Sequence, residues 1–295
     1  MMVRTNLPQP TAVLELLKPV TWFPPMWAFG CGVVCAGPVA AGRWPAIALG
    51  VVLAGPLVCA ASQAVNDWFD RHVDAINEPH RPIPSGRMPG LWGLHVAVAW
   101  TALSLLAAAM LESLVLAAAA VGLALAWAYS APPFRLKQNG WWGNAACGIC
   151  YEGLAWLTGT MVASGGAAPA SSVIWLAMLY SAGAHGIMTL NDFKSIEGDR
   201  RMGIGSLPVR LGPVAAGRVA CLFMTAPQAA VVALLIVWNA PLHAAAVAGL
   251  LVVQIALMRR LLASPRERAP WYNATGVSLF VLGMLVSAFA VRSGA

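Results

Sequence analysis

The chain has 295 residues, of which 59% are hydrophobic and only 10% charged, with a formal net charge of +7. A soluble domain carries about 25% charged residues, so a fold surrounded only by water is excluded and a bilayer must serve as solvent. All six cysteines (Cys31, Cys35, Cys59, Cys147, Cys150, Cys221) fall in apolar runs, which argues against a disulfide framework. Cys147 and Cys150 have CxxC spacing but no second pair or nearby histidine, and read as small residues at a helix contact.

In chain order, the segment 1–18 lacks the charged, apolar, small-residue order of a cleavable signal and reads as a cytoplasmic N-terminal segment. A spanning helix needs roughly 20 apolar residues. Runs of that length predict nine spans, at about 20–41, 45–66, 91–111, 113–131, 142–164, 171–191, 214–238, 241–262 and 272–291. The expected class is all-α, a polytopic bundle of nine transmembrane helices in a single domain, 1–295. With the N-terminus inside, only Arg43 and Arg292 of the 18 basic residues fall on the far side. The positive-inside rule then places the N-terminus in the cytoplasm and the C-terminus in the periplasm. The same rule accounts for the basic charge without a nucleic-acid partner.

Two of the cytoplasmic helix ends are unusual. Span two runs into Asn66-Asp67-Trp68-Phe69-Asp70-Arg71-His72-Val73-Asp74, and span six into Asn191-Asp192-Phe193-Lys194-Ser195-Ile196-Glu197-Gly198-Asp199. Both open with Asn-Asp at the end of an apolar run, a weak internal repeat of about half the chain. At about 100° per helical residue, Asn66, Asp70 and Asp74 share one stripe with Asp67 beside it. Asp192 and Asp199 share a face as well, whereas Glu197 joins them only if the helix ends before Gly198. Carboxylates so crowded repel unless a cation sits between them. Their hard oxygen donors suit Mg²⁺, which binds through one or two carboxylates plus substrate phosphates. The candidate metal ligands are therefore Asn66, Asp67, Asp70, Asp74, Asp192, Glu197 and Asp199. The interleaved Arg71, Arg81, Lys194 and Arg200 either neutralise the clusters or hold substrate.

A third loop on the same side carries Tyr129, Pro132, Pro133, Arg135 and Lys137, whose two cations suit phosphate oxygens. Together these features describe a diphosphate site over an apolar cavity, with an isoprenoid diphosphate as the natural ligand. Deeper in span five, Glu152 falls about nine residues in, roughly 13 Å at 1.5 Å per residue. A carboxyl at that depth is a functional candidate, with a hydrogen bond to a neighbouring helix as the structural alternative. A transporter using the clusters as ion sites is the competing class, but transport sites belong near the midplane.

The run 66–74 matches without a gap the NDxxDxxxD motif of the UbiA superfamily of membrane prenyltransferases. The runs NDWFDRHVDAINEPHRPIPSGR and NDFKSIEGDRRMGIGSLPV resemble its chlorophyll synthase branch, and GRMPGLWGL the bacterial members of that branch. The resemblance implies a helical bundle around a central cavity and two Asp-rich loops holding Mg²⁺ and diphosphate. It further implies transfer of a geranylgeranyl or phytyl group to the propionate carboxylate of (bacterio)chlorophyllide in the cell inner membrane, alongside pigment-pathway or pigment-insertion proteins. Asp67, Asp70 and Tyr129 carry the catalytic roles by that resemblance, and Arg135 or Lys137 corresponds to the family's loop cation. Ser195 stands where the second motif usually has Asp, leaving Asp192 or Glu197 to supply the oxygen. His185, about two turns before Asn191, is a candidate ligand for the chlorin's central Mg²⁺, or else a packed histidine. A quinone-type acceptor is the alternative within the superfamily.

Overall fold

A computed structural model describes residues 7–292, so Arg4 lies outside the described residues. The described residues form helices joined by turns and loops, with no strand among them beyond one isolated parallel bridge, Asn139 to Gly205. The helices are α1 (Pro10–Leu17), α2 (Phe23–Cys35), α3 (Trp44–Val52), α4 (Ala60–Asn77), α5 (Trp92–Ala109), α6 (Ser113–Ser130), α7 (Gly140–Gly148), α8 (Ala155–Ala163), α9 (Ser171–Asn191), α10 (Ile196–Arg201), α11 (Leu207–Leu211), α12 (Pro213–Val237), α13 (Pro241–Ala263) and α14 (Pro265–Arg292).

Among the described residues, seven helices are long and apolar enough to cross a bilayer, two fewer than the nine spans expected. The expected first span shortens to α2, whose 13 residues rise about 20 Å against a hydrocarbon core of about 30 Å. The expected fifth span is not one regular helix: α7 and α8 are joined by a π-helical turn, Ile149–Leu154. A second π turn, Leu53–Cys59, joins α3 to α4 around Pro56. Proline there has no N–H to give and crowds the preceding turn, and the wider π turn relieves that crowding.

Because lipid offers no hydrophobic gain for helix association, close packing and interhelical hydrogen bonds must supply it. Gly32 of α2 and Gly159 of α8 bring two backbones together: a Cβ at Gly32 would lie 1.9 Å from the Trp156 carbonyl oxygen, and one at Gly159 2.0 Å from that of Phe29. The Thr160 hydroxyl completes that crossing by donating to the Gly32 carbonyl at 2.9 Å. Gln228 and Gln254, both fully buried, exchange amide hydrogen bonds of 3.1 and 2.9 Å between α12 and α13.

Contacts separate the two ends of the bundle. At one end, Arg43 pairs with Glu112 and donates to the Val162 carbonyl. At the other end gather the C-termini of α4, α6 and α9. There the 131–139 loop is stitched to the 202–206 loop by Gly140 N–H to Gly205 O (2.9 Å) and Gly205 N–H to Gln138 O (3.0 Å). Both Asp-rich segments therefore share one end, as the two Asn-Asp openings lead one to expect.

Candidate active site

A cavity of about 1020 Å³ opens between α4, α6, α7, α9 and α14, at the upper limit of the usual range for ligand sites. Much of its wall is apolar, with Pro24, Pro25, Val58, Leu125, Ile187 and Val281 among the lining, interrupted by Gln63, Tyr151 and Glu152; its mouth carries both Asp-rich segments.

The first segment stays helical through Asn77, and so Asn66, Asp70 and Asp74 line the cavity as one stripe. Each has a partner in the protein: Asn66 Nδ2 donates to the Ser130 hydroxyl at 3.3 Å, Lys137 Nζ donates to Asp70, and an Arg81 guanidinium nitrogen donates to Asp74 at 2.9 Å. Asp67 does not reach the cavity. It is 2% exposed and turned into the flank of α4, where Lys18 Nζ meets it at 2.6 Å and Arg81 at 3.4 Å. Its expected metal and catalytic roles are not what this placement provides; Asp67 instead anchors two cations. Arg81 also pairs with Glu78, so a single guanidinium ties together three carboxylates, two of which face the cavity.

The second segment breaks instead of continuing. Helix α9 ends at Asn191, Asp192–Lys194 form a 3-10 turn, and α10 starts after Ser195. Asp192, Lys194, Ser195 and Asp199 all line the cavity. Asp192 accepts from Asn144 Nδ2 at 3.3 Å, and Asp199 accepts from the Ser195 and Ser206 hydroxyls at 2.9 and 2.6 Å. Burial raises the Asp199 carboxyl above its ordinary range, the Ser206 and Ser195 hydroxyls oppose that, and the charge of Asp70 across the mouth adds to it. Glu197 points away: its side chain is 56% exposed and pairs with Arg266 at 3.3 Å and Arg200 at 3.8 Å. A continuous helical register for 192–199 therefore does not hold, yet Asp192 and Asp199 still meet at one mouth.

Among the cations, Arg81, Lys137 and Lys194 line the cavity, as does Tyr129. Burial lowers the Lys137 ammonium's affinity for its proton and Asp70 opposes that. Arg71 stacks 4.1 Å over Trp68 and donates to its carbonyl, Arg135 sits in a left-handed backbone conformation, and Arg200 is exposed; none of the three lines the cavity. His185 is not in the wall either. It is 4% exposed, stacks on Phe223 at 4.2 Å between ring centroids and approaches the Trp141 carbonyl at 3.2 Å, which is the packed-histidine alternative. Glu152 does line the cavity. Sequence reading overlooked Lys18, Gln63, Tyr151 and Ser206; Lys18 meets Asp67 across 49 residues, a separation that no local pattern reports.

Among the described residues, no three His, Cys, Asp or Glu side chains converge into a ready-made metal cage. Carboxylates on both sides of one mouth, each already tied to a hydroxyl, amide or cation, fit a hard ion that takes only part of its shell from protein and the rest from phosphate. The arrangement suits a ligand with an anionic head and a large apolar body, held by an integral membrane protein.

A profile of the UbiA prenyltransferase family matches residues 22–290, and this chain belongs to that family. It is 54% identical to the bacteriochlorophyll synthase 33 kDa chain of Cereibacter sphaeroides, over 97% of this chain and 95% of that one. It is 38% identical to the chloroplastic chlorophyll synthase of Oryza sativa subsp. japonica, over 94% of this chain and 76% of that one. A solved UbiA homolog from Archaeoglobus fulgidus bound to GPP and Mg²⁺ has a TM-score of 0.68 at 19% identity, covering 96% of this chain and 99% of that one; that likeness shows the fold.

Proposed function

We propose that this single-domain chain transfers a geranylgeranyl or phytyl group from its diphosphate to the propionate carboxylate of (bacterio)chlorophyllide. The observation that carries the reading is the facing of two oxygen-rich helix ends across one mouth above a large apolar cavity. Near full-length similarity to a bacteriochlorophyll synthase supports the choice of acceptor.

The acceptor carboxylate is already a nucleophile at neutral pH, so no side chain has to deprotonate it. A carboxylate oxygen bonds to the allylic carbon, the bond from that carbon to the diphosphate oxygen breaks, and the electron pair leaves with the diphosphate. Asn66, Asp70, Asp74, Asp192 and Asp199 would hold Mg²⁺, which when bound neutralises charge on the departing diphosphate. Lys137, Lys194 and Arg81 add fixed positive charge at the same place. The Tyr129 ring, in the cavity wall, stabilises positive charge developing on the allylic carbon. The apolar walls keep water from capturing that carbon.

The mouth faces the cytoplasm from the inner membrane in this reading, with the C-terminus periplasmic, and proteins that make or insert pigment receive the product. Purified protein given chlorophyllide-type acceptor and prenyl diphosphate is expected to form ester only with Mg²⁺ added. Absence of ester with every macrocycle acceptor, alongside prenylation of an aromatic one, would overturn the acceptor assignment. Reporter fusions after Arg87 and after Arg201 should both report the cytoplasm.

A further inference from the structure

The carboxylates that line the mouth are each bonded to a donor, but the carboxyl deep in the cavity is not. Glu152 lines the cavity, is 6% exposed, and has its Oε2 sealed without a hydrogen-bond partner. Eight residues separate it from Asn144, which holds Asp192 at the mouth, placing it roughly 12 Å below at 1.5 Å per residue. Two other polar residues of the same wall are engaged with each other, Gln63 donating to the Tyr151 hydroxyl at 2.9 Å.

The position of Glu152 is fixed by the backbone. It sits in the π turn Ile149–Leu154, a feature found frequently at functional sites. Gly148 and Gly153 press this turn against α9: a Cβ at either would come within 2.4 Å of Ser181, its carbonyl oxygen and its hydroxyl respectively. The close approach fixes the backbone of the turn, and with it the place from which the Glu152 side chain starts. A carboxyl in the cavity wall with no hydrogen bond from the protein is a standing cost, and its second oxygen, which is not sealed, is where a ligand in the cavity can satisfy it.

Of the two substrates proposed above, the prenyl tail is hydrocarbon and has no atom to offer. The macrocycle carries peripheral carbonyl and hydroxyl groups. We infer that Glu152 is an acceptor-recognition residue that accepts a hydrogen bond from a peripheral hydroxyl of the tetrapyrrole or, as the protonated acid, donates one to a peripheral carbonyl, thereby setting which macrocycle is accepted and which edge points to the mouth. This rests on the acceptor assignment of the preceding section. A site built around such a bond discriminates against an analogue that lacks the oxygen, because its own polar group is then left unpaired.

Steady-state esterification by wild type, Glu152→Gln and Glu152→Leu tests it, using two macrocycle carboxylates that differ only in one peripheral oxygen. Wild type should prefer the oxygen-bearing acceptor by about tenfold in kcat/KM, equivalent to about 1.4 kcal/mol. Glu152→Leu should abolish that preference by raising KM for the oxygen-bearing acceptor alone, and Glu152→Gln should keep most of it. The KM for prenyl diphosphate and the chain-length preference should not move in either variant. A preference retained in Glu152→Leu, or a shift in prenyl-diphosphate KM or chain length in its place, overturns the inference. Should the leucine variant fail to fold, wild type and Glu152→Gln decide: no preference for any peripheral oxygen in wild type overturns it. Wild type that esterifies neither macrocycle but prenylates another acceptor overturns the acceptor assignment itself, a result distinct from the others.

Discussion

The two Asp-rich segments begin with the same Asn-Asp pair, and the structure uses that pair differently in each. Counting from Asn66 and Asn191, the fourth residue on is Asp70 or Ser195 and the eighth is Asp74 or Asp199; all of these positions line the cavity. The adjacent aspartates part company, Asp192 facing the cavity and Asp67 the flank. What packs alongside makes the difference. Helix α1 lies on α4, its Ala12 and Leu16 buried with Ala64 and Val65, and delivers Lys18 to Asp67. Beside α9 stands α7, whose Asn144 is itself in the cavity wall and holds Asp192 there. A repeated motif thus supplies the candidates, and the neighbouring helix selects which of them face substrate.

The sharpest way to break this comparison is to remove the two kinds of aspartate in the first segment. Asp70→Asn should cost turnover about 100-fold or more, the scale of losing one group that stabilises charge in a transition state, and should lower Tm as well, because it leaves the buried Lys137 without its carboxylate partner. Asp67→Asn should lower Tm while sparing most of the activity, because it takes its carboxylate from the half-buried Lys18 and one of three from Arg81, a loss of about 2 kcal/mol. If Asp67→Asn keeps its Tm and loses all activity, Asp67 acts in the site and the division drawn here fails.

In the second segment, Asp192→Asn should cost at least tenfold more activity than Glu197→Gln, whose exposed ion pairs are worth less than about 1 kcal/mol. Ser195→Asp, which restores a carboxylate at the position matching Asp70, should retain activity. Parallel rate measurements on the three purified variants check this, and a dead Glu197→Gln beside an active Asp192→Asn would reverse the assignment.

The smallest effect is expected where α1 is latched to the loop after α4. Arg87 grips Glu15 through two hydrogen bonds of 2.6 and 3.0 Å, and that contact holds the Glu15 carboxyl below its ordinary range. A carboxylate with a lowered folded-state pKa contributes stability above its unfolded value, about pH 4.3, and loses it as pH falls through the folded value. Wild type should therefore melt slightly above Glu15→Gln at pH 7, with the gap closing in more acidic buffer; an equal gap at both pH values would remove the latch from the account.

Hydropathy and a 3.6-residue period are local properties, and for that reason the membrane class, the helical bundle and the stripe Asn66–Asp70–Asp74 were readable from the chain alone. The same locality hid irregularities within the apolar runs, though a π turn alone does not end a span, since 41–76 contains one and is still long and apolar enough to cross. Composition windows saw apolar length at 20–41 and 142–164 but not the short α2 or the π turn at 149–154 that interrupts the latter. Gly198 hinted at a helix end near the second cluster; the actual break falls earlier, where Phe193 and Ile196 are drawn into the core with Leu190 and Leu207, leaving Glu197 outside.

Side-chain direction at the site belonged to the tertiary structure. Lys18 and Asp67, Lys137 and Asp70, Asn144 and Asp192 meet across 49, 67 and 48 residues. No pattern within one helix encodes which neighbour will stand beside it. His185 reads identically in sequence whether it faces a chlorin or a phenyl ring, and only the approach of α12 put Phe223 against it. Glu152 reads equally well as a bonded helix contact, and only the packing of the helices around it decides that its carboxyl stands in the cavity wall with no protein partner. The chain itself fixed the chemistry available at the mouth, since residue types and their spacing along a helix are written in it. Which groups are spent on one another and which remain for a ligand is a property of packing between helices.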